Sequence, residues 1–153
     1  MQELLIAKIL KRNKKTIAVA ESCTGGLLSH SLTNIPESSE FFGLGIVAYS
    51  PEMKVSILKI PKNILRSKGI ISKEVALLMA KNIRKIANSD FGIGVTGIAG
   101  PSGGTKKTPV GTVYISVVRK DKSITKKFFF KGGRISIKKK TKDSAFKLLR
   151  ECL

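Results

Sequence analysis

Three side chains able to act as nucleophiles stand in a row at Ser22, Cys23 and Thr24, followed by Gly25 and Gly26. The preceding run, Thr16-Ile17-Ala18-Val19-Ala20, is small and β-branched and reads as a short buried strand. Leu27 to Leu32 reads as the first turns of a helix. A strand-to-helix turn aims backbone N–H groups at one spot and adds the positive end of the helix dipole. That spot suits a developing oxyanion or a phosphate. The same residues also suit a purely structural turn, in which Ser22 or Thr24 caps the helix and the glycines reverse the chain.

A hydroxyl nucleophile needs a base. The only histidine, His30, lies about two helical turns beyond Ser22, which places it away from the turn. A lysine is the base that remains. Cys23 is the rival nucleophile, because a cysteine at a helix N-terminus can have a lowered pKa, but it has no evident histidine partner. Cys152 reads as a core or terminal residue. Two cysteines and one histidine in unrelated contexts give no metal-ligand spacing, so neither a metal nor a cofactor is expected. A second stretch, Gly97-Ile98-Ala99-Gly100-Pro101-Ser102-Gly103-Gly104, has the composition of a loop that cradles phosphate through N–H groups, though such stretches are most often turns.

Strands and helices must bring these stretches together. Residues 3–12 read as a helix with Leu4, Leu5, Ile9 and Leu10 on its apolar side. Asn34-Ile35-Pro36 breaks the helix after Gly26, and residues 38–42 read as a short helical turn burying Phe41 and Phe42. Residues 43–50 read as a second strand ending in Tyr49-Ser50. Pro51 then suits the first residue of a helix carrying Lys54. Pro61 and Gly69 bracket another short helix, and Ser72 caps the longest, over 73–87, with Val75, Met79, Ile83 and Ile86 in one stripe. Strands are expected at 91–96, 110–118 and 124–130, the last two joined by a hairpin at 120–123, and a closing helix over 136–151. Early alternation of strand and helix followed by a late hairpin predicts an α/β fold. Its sheet is mixed, with about five strands and helices on both faces. The loops at 21–26, 49–54 and 97–104 should then gather at one sheet edge.

The 153 residues read as one domain, with 42% hydrophobic content, enough for a core. No apolar run approaches the ~20 residues of a membrane helix. The N-terminus lacks a basic-then-apolar leader and the cysteines make no disulfide framework, so a cytoplasmic protein without a membrane partner is expected. The net charge is +19, but only 6 of 29 basic residues are arginine, the better reader of bases and phosphates. With few aromatics and no stacking motif, specific nucleic-acid recognition is disfavoured. The positive field should still help to bind a small anionic substrate.

Several motifs occur in a telling order. They are Ala20-Glu21-Ser22-Cys23-Thr24-Gly25-Gly26, Tyr49-Ser50 with Lys54, Gly97-Ile98-Ala99-Gly100-Pro101 with Gly103-Gly104, Pro109 to Val113, and Gly133-Arg134. Together they resemble, over nearly the whole chain, the CinA C-terminal domain family, the nicotinamide-nucleotide amidohydrolases. The resemblance implies a three-layer α/β/α fold, often dimeric, and hydrolysis of nicotinamide mononucleotide to nicotinate mononucleotide and ammonia. It implies Ser22 as nucleophile, Lys54 as its base and Tyr49 beside them, handing on a proton or holding Lys54. A lysine base must be neutral, so burial or neighbouring cations must lower its pKa. The N–H groups of Thr24 and Gly25 are candidate oxyanion donors, and Gly26, Gly97, Gly100, Gly103, Gly104 and Arg134 candidate contacts to substrate or phosphate. Two positions depart from the pattern: Gly133 stands where an acidic residue is usual, and Lys138 where an arginine is.

Overall fold

A computed structural model describes residues 2–153. Five strands form one sheet in the order β2-β1-β3-β4-β5. β1 (Ile17–Glu21) lies between β2 (Phe42–Val47) and β3 (Phe91–Gly97) and runs parallel to both. β4 (Thr112–Val118) and β5 (Ser123–Phe129) complete the sheet as an antiparallel meander. The helices are α1 (Gln2–Arg12), α2 (Leu27–Thr33), α3 (Pro51–Ser56), α4 (Lys62–Lys68), α5 (Lys73–Ala87) and α6 (Arg134–Arg150).

The alternation of side chains along β1 separates two cores. Ile17 and Val19 pack with Leu10, Leu28, Leu32, Phe146 and Leu149, from α1, α2 and α6. Ala18 and Ala20 face Leu58, Ile60, Val75, Met79 and Ile83, around α5. The result is a mixed sheet between two helical layers, as expected. Each fully buried large apolar side chain contributes about 1.5–3 kcal/mol. The glycines of β3 have a packing cause. A Cβ on Gly94 would lie 2.6 Å from Ala80 N and 2.8 Å from Met79 Cβ, so α5 rests directly on the strand backbone.

Local readings shift in several places. Leu4 and Leu5 are exposed, and α1 instead buries Ile6, Ala7 and Leu10. Two stripes at helical spacing were available there, and contact with α6 selects one. Phe41 is fully buried, but Phe42 opens β2 and is only half-buried. Ile86 is 49% exposed because it sits at the last turn of α5, beyond the stripe that meets the sheet. β2 ends at Val47, which leaves Ala48 and Tyr49 in the loop before α3. α6 starts at Arg134, two residues earlier than its periodicity suggests.

The chain leaves β1 toward β2 on one side and returns to β3 on the other. A crevice therefore opens beyond the carboxyl ends of β1 and β3.

Candidate active site

The turn after β1 is built around Glu21. Its side chain is wholly buried. Oε2 accepts from Thr24 Oγ1 at 2.7 Å, Gly26 N at 3.0 Å and Leu28 N at 3.1 Å. Oε1 accepts from Ser29 N at 2.9 Å and Ser29 Oγ at 2.7 Å. The carboxylate thus fills the amino end of α2, where a substrate anion was expected. Gly25 and Gly26 both have positive φ, +61° and +97°, which only glycine adopts at low cost. The Gly25 N–H donates to Ser22 O at 3.1 Å and the Gly26 N–H to Glu21. Neither is left for an oxyanion or a phosphate. Among the described residues, the N–H groups of Cys23 and Thr24 have no acceptor.

Ser22 faces Lys54. Ser50 caps α3 by accepting from Met53 N, Pro51 occupies its first turn, and Lys54 follows one turn on. Lys54 is 1% exposed, so the solvated lysine usual on a short surface helix is absent here. Its Nζ lies 2.9 Å from Ser22 Oγ, 2.7 Å from Ala48 O and 3.3 Å from Tyr49 O. Loss of water lowers its pKa from 10.5 to about 8. In the neutral amine, two N–H groups can serve the two carbonyls while the lone pair faces the Ser22 hydroxyl. Burial acts oppositely on Cys23, whose thiol is pushed up to about 12 and stays protonated.

Tyr49 holds Lys54 through its backbone carbonyl, not its phenol. The ring is 58% exposed, and its hydroxyl accepts from Arg134 Nη2 at 2.9 Å. No proton relay from the phenol to Lys54 is formed. Arg134 Nη1 donates to Gly100 O at 2.6 Å, which ties α6 to the glycine-rich loop. Gly133, which caps α6, makes no side-chain cap bond, yet these two contacts fix Arg134.

Ser22, Cys23, Tyr49, Gly97, Gly100, Ser102 and Arg134 line a cavity of about 260 Å³. Gly103 and Gly104 lie outside it, exposed on the loop. A Cβ on Gly97 would meet the Val113 side chain at 2.7 Å, and one on Gly104 would meet Val110 N at 2.7 Å, so packing explains both. The N–H groups of Ala99 and Ser102 have no acceptor among the described residues. Larger clefts occur elsewhere, one of about 550 Å³ beside α3 and α4, but none brings a hydroxyl to a buried amine. Among the described residues no three of His, Cys, Asp and Glu gather as a metal site. His30 is exposed and bonded to Asn34.

Sequence reasoning missed the role of Glu21, which ends β1 well ahead of Leu27 and so stands outside the cap and first-turn positions where an acidic residue signals a helix start. It also missed Ser102, which no local pattern distinguishes from a turn serine. Lys138 sits beside the turn, since a Cβ on Gly25 would lie 3.4 Å from its Nζ.

Comparison with known proteins bears on the same residues. The model of the CinA C-terminal domain matches residues 2–153. The chain belongs to the CinA C-terminal domain family. A CinA-like protein of Endomicrobium trichonymphae is 46% identical over 146 residues, 95% of this chain and 34% of that protein. A competence-damage inducible relative in Thermoanaerobacter pseudethanolicus is 47% identical over 153 residues, all of this chain and 37% of that protein. This CinA domain therefore spans about a third of the length of these curated relatives. The crystal structure of the competence damage-inducible protein A of Klebsiella pneumoniae superposes with a TM-score of 0.95 at 30% identity, covering 98% of this chain and 93% of that one. The competence/damage inducible protein of Agrobacterium tumefaciens gives 0.96 at 30% identity, covering 98% and 92%.

Proposed function

We propose that this CinA domain hydrolyses the carboxamide of nicotinamide mononucleotide to nicotinate mononucleotide and ammonia. The carrying observation is the buried contact between Ser22 Oγ and Lys54 Nζ at 2.9 Å. As Ser22 Oγ attacks the amide carbon, its proton passes to the neutral Lys54 amine. The N–H groups of Cys23 and Thr24 are the donors left for the oxyanion, in place of Thr24 and Gly25. Lys54 returns the proton to the departing nitrogen, the C–N bond breaks, and ammonia leaves an acyl ester on Ser22. Water then attacks the ester with Lys54 again as base, which frees the carboxylate and restores the hydroxyl.

Arg134 stands at the cavity mouth with N–H groups to spare after serving Gly100 and Tyr49. With the free N–H groups of Ala99 and Ser102 it forms the contact proposed for the nucleotide phosphate.

Ammonia release from nicotinamide mononucleotide by the purified protein tests the reading. Ser22→Ala and Lys54→Ala should each abolish turnover with the fold intact. Lys54→Arg should fail as well, because guanidinium stays protonated. Cys23→Ala should retain most of the activity. A wild type that releases no ammonia would overturn the assignment, and an active Lys54→Ala protein would remove the dyad from it.

A further inference from the structure

At the opposite end of the sheet from Ser22, two clefts of about 520 and 420 Å³ adjoin, sharing Arg84, Arg119, Lys120 and Asp121. Their position is set by the strands: Lys15 precedes β1 and Phe91 opens β3, whereas Ser22 follows β1. Five residues of β1 therefore separate them from the nucleophile, about 17 Å. Of the fourteen residues lining the two clefts, seven are lysine or arginine, against 29 of 153 in the chain. The trough is thus enriched in cations even for this basic protein.

Two carboxylate side chains line it, and both are spent. Asp90 accepts from Lys15 and from Thr16, and Asp121 accepts two bonds from Arg119. Lys81, Arg84, Lys85, Lys120 and Lys122 have no carboxylate partner among the described residues, Lys122 donating only to the backbone carbonyl of Glu151. Arg84 donates Nε to Asp90 O, which leaves both terminal nitrogens of the guanidinium free. The last turn of α5 accounts for part of this, since cations there offset the helix dipole. It does not account for Lys120 and Lys122, which come from the β4–β5 hairpin to the same trough. A concave surface with an excess of one sign of charge raises the local potential for the opposite ion.

We propose that this trough binds the phosphodiester backbone of a nucleic acid, without sequence preference. A run of phosphates can engage five cations without carboxylate partners spread over two adjoining clefts, which a single anion cannot. The lining offers no exposed aromatic for base stacking, so the contacts are to phosphate. This proposal is independent of the amidase reading and concerns the other end of the sheet.

The test is fluorescence anisotropy with a labelled 20-nucleotide single-stranded DNA of mixed sequence, titrated from 50 to 300 mM salt. Five phosphate contacts predict a log–log salt slope near roughly −3.5. The triple variant Lys81→Gln, Lys85→Gln, Lys120→Gln should lower that slope in magnitude by about 2 and weaken binding at least about tenfold at 100 mM salt. Its amidase activity should match wild type. A control of equal charge, Lys62→Gln and Lys68→Gln on α4 with Lys73→Gln at the first residue of α5, should bind like wild type. Equal loss in the two triples would show a diffuse field and overturn the site. So would absence of binding at 50 mM salt. Acetylation of wild-type lysines with and without the oligonucleotide gives a second readout. Protection confined to Lys81, Lys85, Lys120 and Lys122 supports the trough, and protection spread evenly over the chain overturns it.

Discussion

Lys54 gives up nearly all contact with water and receives three acceptors in return, one of them Ser22. Its pKa falls to about 8 because desolvation penalises the charged form. Two consequences follow at this residue. A base with that pKa is mostly protonated at pH 7, so kcat/KM should rise with pH and level off above about 8. A profile flat from pH 6 to 9 would remove Lys54 as the titrating base. The second consequence concerns stability. Between about pH 8 and 10.5 the unfolded chain binds more protons at this lysine than the folded one does, so stability contributed here increases as pH rises through that window. The depression corresponds to about 3 kcal/mol at 1.36 kcal/mol per unit. The unfolding free energy of wild type relative to Lys54→Met should therefore improve by about 3 kcal/mol from pH 7 to pH 10.5. Paired urea titrations at the two pH values measure it, and an unchanged difference would mean the amine is not penalised by burial.

At the scale of single elements, two helix starts hold the site, and they are capped differently. α2 begins on the Glu21 carboxylate, which takes three backbone and two hydroxyl donors. Glu21→Gln keeps the shape but sets an NH₂ against donors on one side. Leaving buried donors unmatched costs about 1–3 kcal/mol, so the variant should lose about 2 kcal/mol in urea unfolding and lose turnover as the Ser22 turn loosens. A variant as stable as wild type would show that the carboxylate does not set the turn. α6 begins at Gly133, whose extended backbone suits a capping side chain that it does not have. Gly133→Asp should stabilise the protein by about 0.5–1 kcal/mol, from a cap bond and the dipole, with Arg134 still in place. A lower thermal midpoint would argue that the glycine is needed for the entry of the chain into α6.

Over the whole molecule, a charge of +19 attracts any anion, so a preference for a phosphorylated substrate proves little at low salt. A phosphate held by Arg134 and backbone N–H groups differs from a field in its response to screening. Each charge-assisted hydrogen bond is worth roughly 1.5–3 kcal/mol, and about 1.4 kcal/mol is a factor of ten. Nicotinamide mononucleotide should therefore exceed nicotinamide riboside in kcat/KM by at least about tenfold and keep most of that margin at high salt. Arg134→Ala should shrink it. Equal values for the two compounds in wild type would remove the phosphate contact.

What the sequence determined by itself was local or periodic. Alternation in Phe91 to Thr96 marked β3, Ser72 marked the start of α5, and the order of strands and helices implied the mixed sheet between two helical layers. The position of the reactive turn between β1 and α2 was legible for the same reason, since β-branched residues and paired glycines dictate backbone shape within a few residues. The tertiary structure decided the rest. Which of two stripes α1 buries depends on α6, 130 residues away in the chain, so Leu4 and Leu5 end exposed. Whether Lys54 is a solvated lysine or a buried amine depends on 32 residues of chain returning it to Ser22. The oxyanion donors moved because Ser22 O claims the N–H of Gly25, Glu21 claims that of Gly26 from any phosphate, and the phenol of Tyr49 turned to Arg134, 85 residues on in the chain. Burial and charge at a site are sums over neighbours that only the folded chain brings together, and a pKa depends on those sums.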